Sequence, residues 1–137
     1  QMILSSNGHE FLENFEKTIF YGELSIGTPW KNFTAVIDTT QPDMLVPSVS
    51  CGYSCGSRER YDSSKSSSYI RKGQSYNAEY RGKDITGFQS MDSIYFAEFD
   101  VDFQGFVEVT KVSDASIDST IDIDVIMGFG YKENSVN

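Results

Sequence analysis

Basic residues are scarce in this 137-residue sequence: 11 Lys and Arg stand against 20 Asp and Glu, leaving a formal net charge of -9. With an isoelectric point near 4.4, that balance argues against nucleic acid or an anionic membrane surface as partner, since both are drawn to positive potential. It suits a soluble protein that meets acid, where protonated carboxylates no longer repel one another. It is equally the balance that many secreted proteins carry. Long hydrophobic runs are absent too. No window approaches the roughly 18 apolar residues needed to cross a bilayer. The opening QMILSSNGHEF lacks the basic end and apolar stretch of a signal peptide, so any secretory signal is expected to have been removed.

Metal-ligating residues are equally few. Cys51 and Cys55 are the only cysteines, and His9 is the only histidine and is remote from them in sequence. Two cysteines do not complete a structural zinc site, so neither a metal nor another cofactor is expected. In the turn-rich CGYSC a small disulfide loop is favoured over free thiols. That points to a secretory route and an extracellular protein. Asn32, in Asn-Phe-Thr, fits a glycan acceptor pattern on the same route.

What is present is a globular composition, 39% hydrophobic and 14% aromatic. It is enough for one domain, residues 1–137, with a modest core. The pattern is mostly β. TIFYGELSIG (Thr18 to Gly27) alternates and is rich in β-branched and aromatic residues; Gly27-Thr28-Pro29 makes a turn, and NFTAVID follows as the next strand. QSYNAEYRGKDITGFQSMDSIYF reads as a β-hairpin with its tip at Arg81 to Asp84. YFAEFDVDFQGFVEV alternates, with acids on one face and aromatics on the other over Phe96 to Phe103; the acids read as a solvated face. DIDVIMGFG (Asp122 to Gly130) reads as an apolar strand ending in glycines. The serine-rich DSSKSSSY (Asp62 to Tyr69) reads as a surface loop rather than a linker.

Taken in order, these pieces resemble the N-terminal lobe of the pepsin-like aspartic peptidases. FYGELSIGTPWKNFTAVIDT resembles that family's opening strands, through a Gly-Thr-Pro turn to an aspartate, Asp38. LVPS (Leu45 to Ser48), the Cys51–Cys55 pair, the Ser-rich turn, Tyr80 with ITGFQSMDSIYF, and DVIMGFGY follow in family order and spacing, from about Phe11 to Tyr131. The fold implied is all-β: a single pepsin-like lobe of bent, packed sheets with a flap hairpin.

The implied chemistry uses two nearby carboxylates sharing one proton. One acts as base on a water, and the other, protonated, polarises the peptide carbonyl. The resemblance makes Asp38 one of the pair, Thr39 and Thr40 its loop, and Tyr80, Arg81 and Gly82 the flap over substrate. Several residues depart from the pattern. Thr40 stands for glycine, Gln41 and Pro42 for a serine pair, Leu45 for a tryptophan that bonds the flap tyrosine, and Arg81 for the flap glycine. The charges of Arg81, Lys83 and Asp84 read as solvated hairpin-tip charges.

None of the Asp-Ser triplets at Asp62, Asp92 and Asp118 ends an apolar strand, so one chain offers one carboxylate of a two-carboxylate machine. The expectation is a peptidase homologue that is catalytically deficient as a monomer and binds a peptide or protein. The alternatives are a homodimer with one Asp38 from each chain, and one half of a longer two-lobed acid peptidase.

Overall fold

The computed structural model describes residues 19–38, 41–56, 58–96, 99–113 and 124–128. Alternation sets the first elements. β1 (Ile19–Ile26) and β2 (Lys31–Asp38) form an antiparallel hairpin whose register runs from Ile26↔Lys31 at the turn to Ile19↔Asp38 at the open end. Phe33, Ala35 and Ile37 are buried at every second position of β2; on the other face Asn32 and Thr34 are exposed, whereas Val36 and Asp38 are buried as well. β3 (Leu45–Pro47) is short and buried, β4 (Ile70–Tyr80) and β5 (Lys83–Phe96) form a long hairpin, and β6 (Phe99–Val112) and β7 (Val125–Gly128) complete the set. Single 3₁₀ turns occur at Tyr53–Cys55 and Ser63–Lys65.

The strands make one mixed sheet in the order β1-β2-β7-β3-β6-β5-β4. It bends back on itself, because the far end of β5 pairs with β1 over Leu24↔Phe96 to Ile26↔Ile94. The layers are therefore faces of one continuous ladder, and β4 remains as the edge. Inside lie Leu24, Ile26, Phe33, Ile37, Val46, Phe96, Phe106 and Met127. Phe106 is fully buried, and a side chain of that size contributes about 1.5–3 kcal/mol on leaving water. A second cluster of Leu45, Cys51, Cys55, Ile85, Val107 and Val109 underlies the β4–β5 hairpin, with Tyr76 and Tyr80 packed against it.

One strand expected from the sequence is corrected. YFAEFDVDFQGFVEV is two strands: β5 ends at the buried Phe96, and β6 starts at Phe99 and pairs back with it. Without Gly or Pro at the reversal, the two strands read as one run. Nor do the aromatics share an inner face: Phe103 lies at a bulge with φ 64° and is 61% exposed. The serine-rich stretch is an ordered loop. Asp62 accepts the Ser64 amide, and Ser66 and Ser68 donate to the fully buried Asp92, which also accepts the Tyr61 hydroxyl at 2.7 Å.

Candidate active site

Asp38 is the last residue of β2 and is fully buried. Its backbone lies between β1, where it pairs with Ile19, and β7, where it pairs in parallel with Gly128. Only a residue without a side chain fits there. A Cβ on Gly128 would lie 2.6 Å from the Asp43 carbonyl oxygen and closer still to that of Gln41. The Gln41 amide turns back to the Asp38 carbonyl at 3.1 Å. Thr39 and Thr40 lie outside the described residues.

The β4–β5 hairpin faces Asp38 from above. Its two-residue loop is Arg81-Gly82, with φ of 52° and 81°. Positive φ at both positions gives the primed turn that matches strand twist. A Cβ on Gly82 would meet nothing, so Gly82 serves the turn and touches no described neighbour there. Arg81 adopts the same left-handed backbone with a full side chain, at a strain of about 1–2 kcal/mol.

Tyr76 and Tyr80, four residues apart on β4, share a face and reach down to two carboxylates. Tyr80 donates its hydroxyl to Asp38 Oδ2 at 2.8 Å, and Tyr76 donates to Asp43 Oδ2 at 2.9 Å. Burial, with Asp38 beside it, pushes the Tyr80 phenol up to about 12, and burial raises that of Tyr76 as well. The Leu45 side chain has no N–H to offer Tyr80, whose hydroxyl is directed to the carboxylate instead.

Arg81 corrects the reading of a solvated hairpin charge. Its Nε donates to Asp38 Oδ2 at 3.3 Å and to the Tyr80 hydroxyl at 3.2 Å, and its guanidinium carbon lies 5.7 Å from the Tyr80 ring centre. The ion pair joins a fully buried carboxylate to a half-exposed cation. A left-handed first turn residue is what swings this side chain back over β4. One oxygen of Asp38 thus takes a phenol and a guanidinium from the same hairpin.

Cys51 and Cys55 form a disulfide. It is buried beneath the flap, and Arg60 donates to the carbonyls of Cys51, Gly52 and Gly56 that the small loop turns inward. Asn32 is exposed near the opposite end of β2, six residues and about 20 Å of strand from Asp38. Among the described residues no group of three or more His, Cys, Asp or Glu could hold a metal ion, and no helix is long and apolar enough to cross a membrane.

The sequence did not show the Arg81 contact, the Tyr76–Asp43 bond, the buried Glu108, which accepts from Ser48 and Ser90, or the buried Asp92 with its hydroxyl donors. The period-2 spacing of Tyr76 and Tyr80 carried a signal for the second, since both point to one face. The glutamate carried none, because Glu108 alternates with valines as any solvated strand residue would.

An interior strand thus ends on a buried aspartate, with a strand glycine seated against the loop that follows and a hairpin tyrosine closed over it. The chain belongs to the aspartic peptidase family: the family model of eukaryotic aspartyl protease matches residues 19–137. It is 38% identical over 133 residues to procardosin-B of Cynara cardunculus, covering 96% of this chain and 26% of that protein. It is 33% identical to vacuolar protease A of Neurospora crassa and 34% identical to cathepsin D of Rattus norvegicus, covering 98% and 93% of this chain. The chain spans only 34% and 33% of those two relatives.

Proposed function

We propose that this chain is a half-site of an aspartic peptidase that, as a single copy, binds peptide between Asp38 and the flap without cleaving it. One observation carries the reading. Asp38 Oδ2 is held by Tyr80 and neutralised by Arg81, whereas peptide hydrolysis needs a second carboxylate to share a proton with the first. A cation supplies charge balance at that oxygen but neither the shared proton nor a second acid. Substrate entry would lift the flap and exchange these contacts for contacts to the peptide.

A second reading rests on Asp38 keeping its strand-end position beside Gly128. Given a second carboxylate, from another lobe or another copy of the chain, the same residue becomes half of a working dyad and the activity is that of an endopeptidase. The Cys51–Cys55 disulfide, with a relative named as a vacuolar protease, supports a compartment reached by the secretory pathway, and we favour secretion.

Calorimetric titration with an apolar hexapeptide at acid pH, followed by mass spectrometry of the peptide, tests the first reading. Saturable binding that Tyr80→Ala weakens, with the peptide recovered intact, is expected. No binding, or cleavage by the isolated single copy, contradicts it.

A further inference from the structure

The turn end of the β1–β2 hairpin, remote from Asp38, carries an exposed aromatic pair. Trp30 is 47% exposed and Tyr95 is 42% exposed, and their ring centres lie 5.7 Å apart at a tilt of 42°. The sheet register sets what lies beside them. Ser25 pairs with Asn32 on one side and with Tyr95 on the other. Directly opposed residues in antiparallel strands project to the same face, so Asn32, Ser25 and Tyr95 form a row about 10 Å long. The side chains confirm the shared face at one step: Ser25 Oγ donates to Asn32 Oδ1 at 2.5 Å. Trp30, two residues before Asn32, closes the row by packing on Tyr95.

We infer that Asn32 is an occupied N-glycosylation site and that Trp30, with Tyr95, is the platform on which its first sugar rests. The acceptor triplet Asn32-Phe33-Thr34 meets the sequence requirement. Asn32 and Thr34 are both exposed on one face of β2, while Phe33 between them is buried. The β7 partner of β2 begins only at Ala35, so β7 does not cover the strand at Asn32. The serine bond engages Oδ1 and not Nδ2, the atom to be modified.

In the transfer, Nδ2 bonds the anomeric carbon of a lipid-diphosphate-linked oligosaccharide. The bond from that carbon to the diphosphate oxygen breaks, and the amide proton leaves to a base of the transferase. The apolar face of the resulting N-acetylglucosamine carries C–H groups of slight positive charge, which suit the negative face of an indole. A glycan anchored at Asn32 therefore covers two large aromatics that otherwise stay in water. This inference depends on passage through the secretory pathway and not on peptide binding or cleavage, so either can fail alone.

The chain holds a single tryptophan, which makes the test direct. The full chain is secreted from a eukaryotic host, and its intact mass and tryptophan emission are read before and after removal of the glycan by a peptide N-glycosidase. A glycan mass mapped to Asn32, lost in Thr34→Ala, with red-shifted emission once the sugar is removed, is expected. An endoglycosidase that leaves one N-acetylglucosamine should preserve the original emission. Secreted protein unmodified at Asn32 overturns the inference, and so does a modified protein whose emission ignores complete removal of the sugar.

Discussion

Tyr80 and Asp38, 42 residues apart in sequence, are joined by a 2.8 Å hydrogen bond from the phenol to Oδ2, and Arg81 completes a three-membered cluster on that oxygen. The bond ties the edge hairpin to the interior strand end. Removing it should be felt as stability lost in the hairpin. Tyr80→Phe deletes a bond to a charged acceptor and is expected to lower stability by about 1.5–3 kcal/mol, measured by urea unfolding.

Arg81 contributes less, because its end of the ion pair is half exposed. A double-mutant cycle of Asp38→Asn with Arg81→Ala should give a coupling of about 1 kcal/mol or below. Arg81→Gly should be milder than Arg81→Ala, since glycine relieves the left-handed backbone at φ 52°.

Alkaline pH should loosen the fold from a defined point. The Tyr80 phenol moves from 10.0 to about 12 through burial and Asp38. A raised folded value means that the folded state keeps its proton longer than the unfolded state does. The stabilisation is complete below the unfolded value and is lost as pH rises from about 10 to about 12. Unfolding midpoints should fall across that window, and Tyr80→Phe should flatten the part due to this residue.

Glu108 predicts a loss of the same sign at lower pH. It is buried, and desolvation raises it above 4.5 despite bonds from Ser90 and Ser48. Stability linked to its protonated form is present below the unfolded value and is lost as pH rises through the folded one. Glu108→Gln cannot ionise, so its stability relative to the parent should improve between pH 4.5 and 7. Urea midpoints at those two pH values check this.

Gly128→Ala should be among the most damaging single changes. Its Cβ would meet backbone carbonyls of Gln41 and Asp43, which cannot rotate away. The expected loss is about 3 kcal/mol, the upper end for overpacking. The Cys51–Cys55 loop separates its ends by 4 positions, so replacing both cysteines by alanine should remove about 2 kcal/mol on the chain-entropy account.

Period-2 alternation made β1, the first half of β2 and the flap hairpin legible, because one face of each is more covered than the other; from Ala35 to Asp38 β2 is buried on both faces. Asp38 was legible for the same reason: an apolar strand that ends on a carboxylate is an exception to its own pattern. Two kinds of feature were not. The reversal after Phe96 has no Gly or Pro to mark it, so β5 and β6 read as one strand. The partners of Arg81, Asp92 and Glu108 are brought together only by sheet closure and by a left-handed turn residue. A charged side chain reads as solvated until the fold supplies a buried acceptor or donor near it.

The most direct test of the half-site account is peptide cleavage at acid pH, measured per molecule across a wide range of protein concentration, with Asp38→Asn as control. The account predicts no Asp38-dependent cleavage from the single copy at low concentration. Cleavage there that disappears in Asp38→Asn would contradict it, since one chain would then be completing the dyad alone.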